Sequence, residues 1–111
     1  MVYQSAEEVQ KVIADAVASN PIILFVKGSP DAPQCGFSKG VMDMFSYIGV
    51  PFQTVNVLAD PLLREGIKQY TQWPTIPQIF IKGEFIGGFD IVRDLFERGE
   101  LEPMVKGVAS K

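Results

Sequence analysis

The chain has 111 residues, of which 47% are hydrophobic and 21% charged, a globular composition that excludes intrinsic disorder. Ten lysines and arginines face thirteen acidic residues, so the net charge is −3. With no dense basic run, broad binding to a phosphate backbone is excluded as well. One domain spanning residues 1–111 is expected, large enough to bury roughly two-thirds of the surface its unfolded chain exposes.

Ser5-Ala-Glu-Glu8 has the spacing of a capping box, and Val9, Val12, Ile13, Ala16 and Val17 follow on one helical face. Asn20-Pro21 ends that helix. Ile22 to Val26 is a continuous apolar run, as expected of a strand covered on both faces. Lys27 to Cys35 reads as a loop in which Gly28, Pro30 and Pro33 prevent regular pairing. A second helix from about Gly36 to Ile48 places Val41, Met44, Phe45 and Ile48 together, with Gly49 as its stop.

Phe52 to Val57 is β-prone, and Asp60-Pro61 marks the start of a third helix whose Leu63, Ile67 and Tyr70 face inward. Gln78 to Ile81 and Glu84 to Gly87 flank Lys82-Gly83, a two-residue hairpin turn. Asp90 is expected to cap a fourth helix through Phe96, ended by Gly99. Leu101, Met104, Val105 and Val108 form a final short amphipathic helix. The order αβαβαββαα predicts an α/β fold: a four-stranded mixed sheet with about five helices on its two faces.

There is no histidine and a single cysteine, Cys35. This excludes Ser-His and Cys-His catalysis, histidine-ligated metals and any disulfide within the chain. A reducing compartment is the expected home. The longest apolar runs fall far short of a membrane span, and the N-terminus lacks the pattern of a secretory signal. An unpaired cysteine often simply packs in a core. Cys35, however, lies in a turn after the first strand and at a helix N-terminus, where free N–H groups favour a thiolate. Lys27 and Lys39 are candidate cations nearby. A reactive sulfur with no partner in its own chain must form a mixed disulfide with an outside thiol or ligate a metal. A [2Fe–2S] cluster usually takes four thiolates, so a dimer would supply two and soluble thiols the others.

Three separated motifs, KGSPDAPQCGFS from Lys27 to Ser38, Trp73-Pro-Thr-Ile-Pro77 and Gly87-Gly-Phe-Asp90, resemble the monothiol glutaredoxins with a Cys-Gly-Phe-Ser site. The resemblance covers essentially the whole chain and implies the thioredoxin/glutaredoxin fold. It implies a homodimer sharing one [2Fe–2S] cluster, ligated by two Cys35 and two glutathione thiolates. It also implies transfer of that cluster to acceptor proteins, and BolA-type partners. The alternative is a glutathione-dependent thiol–disulfide oxidoreductase using Cys35 alone. The mitochondrial matrix is the location the resemblance favours, with bacterial cytoplasm second.

In the glutathione site so implied, Lys27, Arg64 and Lys68 meet the glycyl carboxylate. Thr75 and the backbone of Ile76, before a cis-Pro77, pair with the peptide. Gly88, Phe89 and Asp90 take the γ-glutamyl end. Many relatives carry a second cysteine at the position of Phe89; this chain does not, so internal resolution of a mixed disulfide is excluded.

Overall fold

The computed structural model describes residues 5–109, with side chains through residue 107. Its elements are α1 Ala6–Ser19, β1 Ile22–Val26, α2 Gly36–Ile48, β2 Gln53–Asn56, a 3₁₀ turn Val57–Ala59, α3 Pro61–Thr71, β3 Gln78–Ile81, β4 Glu84–Gly87, α4 Phe89–Glu97 and α5 Leu101–Ala109. The strands form one sheet in the order β2-β1-β3-β4. β1 runs parallel to β2 and antiparallel to β3, and β3 and β4 form the hairpin. This is the α/β architecture expected from the sequence.

All five residues of β1 are buried, because alternate side chains enter two different cores. Ile22, Leu24 and Val26 pack with Val41, Phe45, Val92 and Leu101 from α2, α4 and α5. Ile23 and Phe25 pack with Val9, Ile13, Leu63 and Ile67 from α1 and α3. The caps follow the residue chemistry. The Ser5 hydroxyl accepts from the Glu8 N–H at 3.1 Å, and the Asp60 carboxylate from the Leu62 N–H at 2.8 Å. Lys82 and Gly83 both have positive φ, 56° and 80°, as a two-residue hairpin turn of this hand requires.

Four details differ from the sequence reading. Tyr70, in the last turn of α3, touches the ring of Phe80 at a centroid distance of 6.1 Å but is still 39% exposed. Val12 is likewise exposed on α1. The 3₁₀ turn takes Val57 out of β2. Gly88, not Asp90, occupies the N-cap of α4, so Asp90 sits in the first turn. Val108, expected on the apolar face of α5, lies outside the described side chains.

Close approach of α1 and α3 depends on Gly66, where a Cβ atom would lie 2.4 Å from the Val9 Cγ1. Alanine would improve intrinsic helix propensity by up to about 1 kcal/mol, but overpacking a filled core costs roughly 1–3 kcal/mol. The clash wins. Gly66→Ala is therefore expected to lower the midpoint of chemical denaturation; an unchanged or raised midpoint would mean that α1 moves away freely.

Candidate functional site

At the C-terminal end of β1 the polypeptide leaves the sheet, and an open cleft of about 510 Å³ lies there. Its walls are Lys27, Cys35 and Phe37 on one side, Lys68 and the Trp73–Pro77 segment on another, and Gly88–Ile91 on the third. The fold thus brings Lys27, Cys35, Lys68, Thr75, Ile76, Pro77, Gly88, Phe89 and Asp90 to one concavity. Arg64, one turn before Lys68 on α3, is not among the residues lining it.

Cys35 is the N-cap residue of α2, in extended conformation at φ −156° and ψ 133°. It is partly exposed. The thiol forms no conventional cap hydrogen bond, but ionisation puts a negative sulfur opposite free N–H groups of the first turn. The N–H of Ser38 does most to hold the Cys35 pKa below the ordinary thiol value. Partial burial opposes this, while the Phe37 N–H, the Ser38 hydroxyl and the Lys27 ammonium reinforce it. Lys39 has a different task, pairing with Asp43 at 2.6 Å on the exposed side of α2.

Ser38 belongs to the recognised motif, yet its role becomes clear only in three dimensions. Its side chain is fully buried, and its hydroxyl oxygen accepts the Lys27 N–H at 3.0 Å. One hydroxyl therefore joins the end of β1 to the turn that holds the sulfur. The intervening loop is more ordered than its prolines suggest. Gly28 and Pro33 form an isolated antiparallel bridge, and the Gln34 N–H donates to the Lys27 carbonyl at 3.0 Å. Proline removes one donor at each of two positions but leaves these others free to pair.

The opposite wall is fixed by a residue that sequence reasoning missed. Gln78 is fully buried at the start of β3, and its amide nitrogen donates to the carbonyls of Trp73 and Thr75 at 3.0 and 3.1 Å. The amide oxygen accepts from the Thr71 hydroxyl at 2.8 Å. A polar residue in an otherwise apolar strand was the available signal, since a buried amide must be satisfied. The Ile76–Pro77 bond is cis. Within the described residues no backbone hydrogen bond engages the Ile76 N–H or C=O, leaving an edge of main chain for a ligand.

Trp73 packs edge-on against Phe85, with ring centroids 5.5 Å apart, and also lines the cleft. Gly88 is tightly packed: a Cβ there would lie 3.0 Å from the indole nitrogen and 3.3 Å from the Pro77 carbonyl oxygen, so one of them would have to give way by a few tenths of an ångström. Phe89 lies over Gly40 of α2, where a Cβ would come within 2.9 Å of its ring. Its ring also meets that of Phe37, with centroids 5.1 Å apart. The two aromatics make an apolar rim beside Cys35, while the first turn of α4 presents backbone N–H groups to an anion.

A thiol-bearing helix N-terminus at the end of the central strand, facing a cis-proline segment, defines a thioredoxin-type redox site. The glutaredoxin family profile matches residues 22–86. A monothiol glutaredoxin of Synechocystis sp. is 46% identical over 99 residues, covering 89% of this chain and 92% of that protein. The mitochondrial monothiol glutaredoxin-5 of Saccharomyces cerevisiae is 45% identical over 102 residues, covering 89% and 68%. The crystal structure of a buckwheat glutaredoxin–glutathione complex matches with a TM-score of 0.82 at 27% identity, covering 93% of this chain and 92% of that one. The chain belongs to the glutaredoxin family of glutathione-linked redox proteins, and its single cysteine and its similarity to monothiol glutaredoxins place it in the monothiol branch.

Ser38→Ala removes the Lys27 acceptor and one donor to the sulfur. Iodoacetamide alkylation followed against pH should show its midpoint shifted upward, and stability should fall by about 1–3 kcal/mol for the stranded N–H. An unmoved midpoint would show that the hydroxyl does not act on the sulfur. Because the folded thiol titrates below the unfolded one, the thiolate's stabilisation is complete above the unfolded pKa and is lost as pH falls through the folded value. The stability difference between the native chain and Cys35→Ser should therefore grow as pH rises toward the ordinary thiol value of 9.0, measured by urea denaturation.

Proposed function

We propose that this chain is a carrier of [2Fe–2S] clusters, holding the cluster as cargo in a homodimer through two Cys35 thiolates and two glutathione thiolates. The observation that carries the reading is one activated thiol beside a cleft that offers ionic and main-chain contacts to a small peptide. Among the described residues no group of three or more His, Cys, Asp or Glu side chains is placed to hold a metal ion. One chain therefore brings a single sulfur, and the remaining ligands come from a second chain and from glutathione. Residues 1–111 act as one domain in this assembly.

Glutathione binds with its sulfur at Cys35. Lys27 and Lys68 take the glycyl carboxylate, and Arg64, outside the cleft wall, reaches it only by extending from α3. Thr75 and the free N–H and C=O of Ile76, before Pro77, pair with the tripeptide backbone as a short added strand. The N–H groups of Gly88, Phe89 and Asp90 face the γ-glutamyl carboxylate, and the exposed Asp90 carboxylate takes its amino group. The buckwheat glutaredoxin crystallised with glutathione and the similarity of the fold support this placement. The assembled dimer hands its cluster to acceptor proteins, with BolA-type proteins as partners.

The lowered Cys35 pKa also supports thiol exchange as a second activity. The thiolate attacks the glutathionyl sulfur of a mixed disulfide, expelling the substrate thiolate and forming a Cys35–glutathione disulfide. A second glutathione thiolate then attacks that disulfide, releasing glutathione disulfide and regenerating Cys35. The mitochondrial relative of S. cerevisiae supports a mitochondrial matrix location, and the Synechocystis relative a bacterial cytoplasm. Among the described residues no helix is long and apolar enough to cross a membrane.

Anaerobic cluster reconstitution with and without glutathione, read by visible absorption and size-exclusion mass, is the test. A coloured dimer holding one cluster per two chains and forming only with glutathione is the expected result. Cys35→Ser should give a colourless monomer with unchanged fold. A native chain that stays colourless under every condition but turns over a glutathione mixed disulfide would replace the carrier reading with the exchange enzyme.

A further inference from the structure

We propose that Asn56 is a positioning residue whose side-chain carbonyl holds the Lys27–Gly28 peptide and thereby sets Lys27 and Cys35 together on one wall of the cleft. The inference rests on the reading of that cleft as a glutathione site. Asn56 ends β2, directly beside Val26 in the parallel pairing with β1. Its Oδ1 accepts two hydrogen bonds, from the Gly28 N–H at 3.0 Å and from the Leu58 N–H at 2.9 Å.

Gly28 is a point where the chain has little freedom. It is buried and has φ +96°, and a Cβ there would meet the Ala32 carbonyl oxygen at 2.5 Å and the Gln34 nitrogen at 2.6 Å. The loop folds back onto this residue, so its N–H is enclosed and depends on the Asn56 oxygen. The two groups just before it are also engaged, the Lys27 N–H by Ser38 and the Lys27 carbonyl by the Gln34 N–H. Three consecutive polar groups of the backbone are thus held from three directions: α2, the returning loop and β2. Removing any one frees the peptide that aims the Lys27 side chain.

Of the three holds, Asn56 alone lies outside the cleft and outside the Lys27–Ser38 segment. It touches neither the sulfur nor the cleft wall. Its action on the site passes through Gly28. The charged groups that share the cleft with Cys35 are Lys27, Lys68 and Asp90, so a change in Cys35 ionisation on altering Asn56 reports a changed placement of these.

The experiment compares Asn56→Ala with Ile13→Val, a core change of modest cost in the α1–α3 layer. Each variant is alkylated with iodoacetamide across pH, and the protection that glutathione gives is measured in parallel. Asn56→Ala is expected to slow Cys35 alkylation at neutral pH roughly twofold or more and to weaken glutathione protection several-fold. Ile13→Val should lower thermal stability without moving either readout. An alkylation profile in Asn56→Ala that matches the native chain overturns the proposal. Absence of glutathione protection in the native chain overturns the glutathione reading instead. Should Asn56→Ala fail to fold, Asn56→Asp keeps the acceptor oxygen, and its Gly28 amide should exchange with solvent as slowly as in the native chain. Fast exchange there overturns the proposal as well.

Discussion

The hydrogen bond from the Lys27 N–H to the buried Ser38 hydroxyl joins the central strand to the first turn of the helix that carries the sulfur. Like β3, β1 has both faces filled and both edges paired. Whatever is tied to its end inherits that rigidity. Cys35 gains a fixed frame without being buried, and its thiolate meets N–H groups whose directions are set by the helix. An activated thiol must remain reachable, so the rigid part of the site lies behind the sulfur and the open part in front.

The other walls follow the same division. Gln78 puts a satisfied amide into the core and uses it to hold two carbonyls of the Trp73–Pro77 segment. Ile76 of that segment lines the cleft, and among the described residues no backbone hydrogen bond engages its N–H or C=O. Gly88 lets the first turn of α4 come close to Trp73 and the Pro77 carbonyl. Two pieces of chain, Trp73–Pro77 and the start of α4, thus border the space beside Cys35 together with the lysine side chains of Lys27 and Lys68. Recognition through backbone is indifferent to a partner's side chains but sensitive to its length and charge, which suits a small peptide with ionic ends.

Elements with local signals were legible in the sequence, and features decided by distant contacts were not. Ser5, Asp60, Gly49 and Lys82-Gly83 each act within a few residues, and each does what its chemistry requires. Tyr70 matches the helical face of Leu63, Gly66 and Ile67 and meets Phe80, but at the end of α3 it is only partly covered. Periodicity assigns a face, and tertiary contacts decide how far along the helix that face is covered. Asp90 is a good cap residue displaced by two positions, since Gly88 is where β4 turns into α4. For the site, the motif residues around Cys35 were visible as a pattern. Gln78, Asn56 and the task of Ser38 were not, because each acts through partners that no local spacing reveals.

Phe89 divides its work between backbone and side chain. Its backbone N–H stays in the first turn of α4, where an anion site needs only main chain. Its side chain turns onto Gly40, and the missing Cβ there is what makes room for the ring. The contact with Phe37 completes an apolar rim at the mouth of the cleft. With no other cysteine in the chain, every bond that the Cys35 sulfur makes to another sulfur joins two molecules, and breaking it needs a thiol from outside. The proposed cluster-bridged dimer is under the same constraint, since one chain offers only one thiolate. Both proposed chemistries take their second thiol from outside the chain, and the apolar rim of Phe37 and Phe89 is a surface that sheds water readily on contact with a second molecule.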